Sequence, residues 1–191
     1  MNKYKIGIIA EDKSDVLSIK ILIKRISSIN NITVQSFVGH GCGKIARKCN
    51  AWADVLHKAG CSVLLLVHDL DKNNKQELQQ KLNTALSPCP ILNNLIVIPV
   101  EELEAWILSD PAGIKKAIKL KQLPKIKPTP ELIISPKEIL EKIIYKYSNK
   151  EKKYINARHN EQIFSVISIG NIKKRCPAFN PFYEFIKTHV N

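Results

Sequence analysis

The stretch 63-VLLLVHDLD-71 decides the fold. Five consecutive apolar residues without polar alternation read as a strand buried on both faces, as central strands of parallel sheets are. Two aspartates follow at once, with one leucine between them. Outward from this strand, short apolar runs alternate with segments of helical period. Ile6–Ala10 (IGIIA) reads as the first strand, and Asp15–Ile26 as a helix with Val16, Ile19, Ile23 and Ile26 on one face. Ile32–Val38 (ITVQSFV) is more mixed and suits an edge strand, and Ile45, Cys49, Trp52 and Leu56 mark a second helix. Lys72–Leu86 predicts a polar helix and Leu95–Val100 a fourth strand, with Pro99 at its end because proline donates nothing to a ladder. Glu101–Leu108 begins a short helix. Strands separated by crossover helices predict an α/β fold with a four-stranded, mainly parallel sheet.

From Asp110 the pattern changes. Asp110-Pro111, Thr129-Pro130 and Asn180-Pro181 each place an N-cap residue before a proline, and Ser135-Pro136-Lys137-Glu138 adds a capping box. Residues 1–109 are therefore expected to form the α/β core, and residues 110–191 a mainly helical extension packed on it. The charge divides in the same way. Of the net +13, residues 1–110 carry 13 basic and 11 acidic side chains, whereas residues 111–158 carry 13 and 4. A localised positive surface suits a polyanion such as nucleic acid, and equally a lysine-rich solvated face.

Five cysteines (Cys42, Cys49, Cys61, Cys89, Cys176) are an odd number with no C-x-x-C pair, which argues against a disulfide framework and a structural zinc site. No apolar stretch approaches the roughly 18 residues of a membrane span. The start, MNKYKIGIIAEDKSD, is too short in its apolar part for a signal peptide. A cytoplasmic protein with no membrane partner is expected.

The acids of the core fall where parallel sheets gather their functional groups, at the carboxyl ends of strands. Glu11 follows the first strand, Asp69 and Asp71 the third, and Glu101, Glu102 and Glu104 the fourth. Hard divalent cations take oxygen ligands, and Mg²⁺ needs one or two carboxylates with several waters. Convergent carboxylates repel one another unless a cation lies between them. The alternative is that each acid caps a following helix, where negative charge is favourable.

Glu11 with Asp15 four residues on, followed by Asp69-x-Asp71 after a later strand, resembles the Toprim fold of topoisomerases, primases, overcoming-lysogenization-defect nucleases and small maturation ribonucleases. The stretches IIAEDKSD, LLLVHDLDKN, IPVEELEAWILSD and RCPAFNPF are similar to a family of small Toprim-like proteins. The resemblance implies a Rossmannoid core, Glu11 as general acid/base or metal ligand, and Asp69 and Asp71 as ligands of Mg²⁺ or Mn²⁺. Glu102 or Glu104 would complete a nuclease site, with Asp15 beside it, and a defence or toxin-like role follows by analogy. Two departures stand out: Asp12 replaces the glycine usual after the glutamate, and DLDKNNKQ lacks the glycine usual after the paired aspartates.

Gly39-His40-Gly41-Cys42-Gly43-Lys44 joins the second strand to the second helix. Its backbone N–H groups and Lys44 could cradle a phosphate, with His40, Gly41 and Gly43 as contacts, or the loop is a flexible turn. It is not a P-loop, because Ile45 follows the lysine. His68 reads as packed or hydrogen-bonded rather than as a ligand. Trp106 reads as core, and Phe179, Phe182 and Phe185 as the face docking the last helix. Lys153 and Arg158, beside Tyr154, could contact a phosphate backbone or form a solvated face.

The expected function is a Mg²⁺-dependent nuclease or related phosphodiester-transfer enzyme on DNA or RNA. The alternatives are a non-catalytic module binding nucleic acid or a partner, and a metal-dependent phosphatase or nucleotide-binding protein. The chain has no ATPase motif of its own, and a companion ATPase or self-association is not derivable from sequence.

Overall fold

The computed structural model describes residues 4–27, 29, 31–39 and 42–190, with the backbone but not the side chain of Cys42. Four strands, β1 (Tyr4–Ala10), β2 (Ile32–Val38), β3 (Val63–Val67) and β4 (Asn93–Val97), form one sheet in the order β2-β1-β3-β4. Every pair is parallel, with Ile6 opposite Val34, Ile9 opposite Leu66 and Val67 opposite Val97. Parallel neighbours need crossovers, and α1 (Lys13–Ser27), α2 (Cys42–Lys58) and α3 (Lys75–Leu86) supply them.

Alternation along the strands separates two cores. Ile9, Leu64 and Leu66 meet Ile45, Cys49, Leu56, Leu78 and Leu82 on the α2–α3 face. Gly7 lies under that layer, and a Cβ there would come 2.9 Å from Leu56 Cδ1 and 3.3 Å from Leu56 Cβ, so a side chain at this position would push on α2. Ile6, Ile8, Val63 and Leu65 face the opposite side. There the core continues through α1 into α4 (Glu104–Leu108), α5 (Pro111–Ile118), α6 (Pro136–Tyr147), α7 (Asn156–Phe164), α8 (Ile169–Arg175) and α9 (Asn180–His189). One hydrophobic cluster runs from Ile6 to Val190, so the helical extension shares the core of the sheet. Trp106 is fully buried, with Phe179 edge-on at 4.9 Å and Phe182 stacked at 5.9 Å; Phe185 is half-buried beside them.

The RCPAF segment locks the extension to the end of α4. Arg175 Nη1 donates to Ser109 O at 2.6 Å and Nε to Pro128 O at 3.0 Å, while the Cys176 thiol meets Ala105 O at 3.6 Å. Cys49, Cys61, Cys89 and Cys176 are free thiols. Among the described residues no helix is long and apolar enough to cross a membrane.

Two boundaries differ from expectation for physical reasons. α3 starts at Lys75 rather than Lys72, because Asn74 caps it by accepting from the N–H groups of Gln76 at 2.9 Å and Glu77 at 3.2 Å. β4 occupies Asn93–Val97 rather than Leu95–Val100. Beyond Val97 the chain still runs beside β3's continuation, with Leu70 N–H bonded to Pro99 O, but proline offers no return donor.

The proline motifs mark helix starts without working as local caps. Asp110 precedes Pro111, yet its carboxylate accepts from Ser168 N–H at 2.7 Å and Asn171 Nδ2 at 3.2 Å, tying α5 to the start of α8. Gly113 makes that approach feasible, since a Cβ would fall 2.6 Å from Ile167 Cγ2. Neither Thr129 nor Ser135 makes a side-chain cap, and Asn180 lies inside α9, whose cap position is Phe179.

Candidate functional site

The strand order sets the carboxyl ends of β1 and β3 side by side, and the residues following them meet there. Asp69 N–H donates to Glu11 Oε1 at 3.2 Å. His68, buried between them, has Nδ1 2.8 Å from Asp69 O and 3.2 Å from Glu11 Oε1. Both neighbours are acceptors, so the proton belongs on Nδ1 and the ring holds the glutamate in place. His68 is thus a hydrogen-bonded positioning group.

Asp69 reaches across to the β4 side, where its Oδ1 accepts from Leu103 N–H at 3.1 Å. Leu103 is the N-cap residue of α4, so this acid does stabilise a helix start, but of a helix distant in sequence rather than the one that follows it. Asp71 is exposed and has left-handed backbone (φ 48°); its N–H donates to the carbonyl of Glu101, which is also left-handed (φ 59°). Aspartate tolerates this region, whereas a glutamate there costs of order 1 kcal/mol. Leu70, between the two aspartates, packs against the α2–α3 core.

Asp12 accounts for one departure from the Toprim pattern. Its Oδ1 accepts from Ser14 N–H at 2.6 Å and Asp15 N–H at 3.1 Å, while Asp15 Oδ2 accepts from Asp12 N–H at 3.1 Å. This reciprocal cap begins α1, at about 1 kcal/mol for the capping residue, and sets Asp15 inward beside Asp69.

The electrostatics show which acids share the site. Asp69 is pushed well above the ordinary carboxylate range, first by burial and then by the charges of Asp15, Glu104, Glu11 and Asp71. Asp15 is pushed up to about 7, by burial first and then by Asp12, Glu104 and Glu11. Burial also raises Glu11, against the lowering effect of His68, with Asp71 adding to the rise. Glu11, Asp15, Asp69, Asp71 and Glu104 therefore form one cluster of like charges. The side chains of Glu11, Asp15, Asp69 and Glu104 turn to separate hydrogen bonds, and among the described residues no three His, Cys, Asp or Glu groups come together to hold a metal ion. The donor set itself is all oxygen and crowded with negative charge, which suits a hard cation that takes one or two carboxylates and fills its shell with water.

The two candidate glutamates after β4 differ. Glu104 is buried, and its Oε1 lies 2.9 Å from the Tyr154 hydroxyl and accepts from Asn160 Nδ2 at 3.1 Å. Burial and Glu104 together raise the Tyr154 hydroxyl, which keeps its proton. Glu102 instead accepts from Lys137 N–H at 2.8 Å, capping α6 in place of Ser135. Tyr154, Asn156 and Asn160 were not among the predicted site residues. Asn156 Nδ2 approaches Asp12 Oδ2 and Ser14 Oγ, each at 3.3 Å. The four-residue spacing of Asn156 and Asn160 puts both on one face of α7, the signal that could have found them.

Gly39 N–H donates to Ala10 O at 2.8 Å, so the loop after β2 starts beside the residue preceding Glu11. Gly43 is exposed and Lys44 half-buried in the first turn of α2. A Cβ at Gly43 would meet nothing within 4 Å, so packing does not require glycine there. His40 and Gly41 lie outside the described residues.

Comparison with family models matches residues 10–187 to the domain of unknown function DUF4276. The chain belongs to the DUF4276 family. The match takes in every acid of the cluster, together with α7 and the RCPAF segment. Curated proteins and solved structures give no match. For this DUF4276 protein the case for function therefore rests on the site.

Proposed function

We propose that this DUF4276 protein is a metal-dependent nuclease, or a related phosphodiester-transfer enzyme, acting on DNA or RNA. The observation that carries the proposal is the convergence of acids at the carboxyl edge of the sheet, where Glu11 meets the Asp69 N–H and where burial and the neighbouring carboxylates raise Asp69 and Asp15. Such repulsion is costly for a folded chain to retain, and a divalent cation relieves it. The Toprim-like order of Glu11, Asp69 and Asp71 on a β2-β1-β3-β4 parallel sheet supports the same chemistry.

Asp69 and Asp71 would hold Mg²⁺ or Mn²⁺, with Glu11 or Glu104 completing the set. When bound, the metal activates water and stabilises charge on phosphate oxygens. The chain's own contribution centres on Glu11. Its Oε1 is engaged by Asp69 N–H and His68 Nδ1, which leaves Oε2 as the oxygen available to take a proton. Its raised pKa keeps it closer to the range in which a general base works. Tyr154 and Asn160 fix Glu104, and Asp12 fixes Asp15, so both acids are oriented before any ligand arrives.

Mass action gives the test. Millimolar Mg²⁺ or Mn²⁺ is expected to raise the melting temperature of the wild-type protein by several degrees, about 2–4 °C for each kcal/mol of binding. The Asp69→Ala, Asp71→Ala double variant is expected to lose most of that shift. Equal shifts in both proteins would leave the aspartates as structural groups and remove the metal from the proposal.

A further inference from the structure

Outside the acidic cluster, a group of cations surrounds a cavity of about 630 Å³ between the end of α5 and the start of α7. Lys119, Lys150, Lys153 and Arg158 line it, and none of them forms an ion pair among the described residues. Glu151 is the one acid in the lining, and it lies 4.0 Å from Lys121. The cavity is built rather than incidental. Lys152 donates its ammonium to Ile118 O, and Gln162 Nε2 donates to Ala117 O at 2.6 Å, clamping both walls together.

The wall between this cavity and the acids is a single extended strip. Tyr154 is buried with its hydroxyl on Glu104, and Asn156 reaches Asp12 and Ser14. The residues on either side of Tyr154 point the other way: Lys153 is exposed, and Ile155, 52% exposed, lines the cavity with extended backbone (φ −137°, ψ 112°). Alternation along extended chain thus gives the strip an acidic-site face and a cationic face. His159 joins the two, stacked on Tyr154 at 5.9 Å and lining the cavity. Its Nδ1 accepts Ile155 N–H at 2.9 Å, so Nε2 carries the proton and is the free donor.

We infer that this cavity is a binding subsite for the phosphodiester backbone of a nucleic-acid strand, held one residue layer from the acidic cluster by the Lys152–Asn156 strip. The inference rests on the proposed function and names where its substrate is gripped. Four cations without an ion pair around a concave surface suit the charge of a phosphate backbone, and Ile155 offers an apolar surface to a base or sugar. The α6 groove differs in its floor: Lys125, Lys127, Lys142 and Lys146 surround a mainly apolar hollow there, and Lys142 lies 3.9 Å from Glu138.

Binding of a fluorescent single-stranded oligonucleotide, measured by anisotropy in EDTA so that no cleavage intervenes, tests the inference. Lys153→Gln with Arg158→Gln is expected to weaken binding about tenfold or more at low salt. The slope of log K against log salt should fall by about 1.4, the value for two lost contacts to a single strand. Lys58→Gln with Lys81→Gln on α2 and α3, an equal change of charge, is expected to alter affinity by less than about twofold, because it touches only the diffuse field. All four side chains are exposed, and unchanged melting temperatures would show that both variants fold. Equal weakening by the two pairs, no weakening by the first, or no binding by the wild-type protein would each overturn the subsite. A wild type that binds through Lys153 and Arg158 but never cleaves with Mn²⁺ would leave the subsite standing and sink the nuclease. Cleavage with the cavity variant binding normally would do the reverse.

Discussion

Glu11→Gln is expected to reduce Mn²⁺- or Mg²⁺-dependent cleavage of DNA or RNA by a hundredfold or more, the usual contribution of a general acid–base group. The amide keeps an Oε1 that can accept from Asp69 N–H, now at 3.2 Å, and from His68 Nδ1. The local hydrogen bonds therefore survive, and so should the fold. What disappears is the negative charge and the ability to take a proton at the second oxygen. Strand binding in EDTA should be unchanged or slightly tighter, since one acid near the polyanion is neutralised. Cleavage by both proteins at similar rates would remove Glu11 from the chemistry. Salt-sensitive binding with no cleavage by either would make the protein a binding module. A phosphatase would show itself by acting on phosphomonoesters and on neither polymer.

Asp69→Asn and Asp15→Asn are expected to stabilise the metal-free protein, and Asp69→Asn is expected to abolish the metal response as well. The sign follows from the direction of the shifts. An acid whose folded pKa lies above its unfolded value binds more protons when folded, so its effect on stability worsens as pH rises. For Asp15 the decline runs from about pH 4, the ordinary aspartate value, to about 7, and it persists above that. Asp69 adds to the same trend, because it too is raised. A pKa unit is worth about 1.4 kcal/mol, so Asp15→Asn should exceed the wild type by up to about 4 kcal/mol at pH 8 in EDTA, and Asp69→Asn should move in the same direction. Asparagine retains an oxygen for Leu103 N–H at position 69 and for Asp12 N–H at position 15. Urea titrations at pH 4 and pH 8 would measure the effect. Added Mn²⁺ should reverse the order, stabilising the wild type and leaving Asp69→Asn unmoved. Less stable asparagine variants at pH 8 in EDTA would mean that the carboxylates serve the fold rather than a ligand.

Much of the sheet was legible because its strands carry local signals. Val63–Val67 and Ile32–Val38 lie where continuous and mixed apolar runs placed them, and β1 begins only two residues before Ile6. β4 was displaced because Leu95–Val100 is the more apolar window, while the ladder uses Asn93 and Asn94 and loses its donor at Pro99. Strand ends alone pointed to Glu11, Asp69, Asp71 and the glutamates after β4, since a parallel sheet brings those ends to one edge, whereas Asp15, inside α1, entered only through the Toprim resemblance. Their individual partners did not follow. Glu104 meets residues 50 and 56 positions away, and Glu102 caps a helix 35 positions on. Such pairings depend on how the extension docks, which propensity and period do not encode. The capping motifs show the same limit: Asp110 and Ser135 marked helix starts correctly, but tertiary contacts took over the capping roles. Tyr154, inside a run of charged residues, gave no local sign that it is buried.

The proposed chemistry requires a divalent cation at the carboxyl edge of this sheet. Crystals of the wild-type protein soaked in Mn²⁺, with anomalous diffraction data collected near the manganese edge, test it most directly. The account predicts one strong anomalous peak at the cluster, bonded at about 2.0–2.6 Å to a carboxylate oxygen of Asp69 or Asp71 with Glu11 or Glu104 beside it. The peak should vanish in crystals of Asp69→Asn. A map with no peak at this edge, or with manganese bound only at unrelated surface acids while Glu11 and Asp69 keep their present hydrogen bonds, would contradict it.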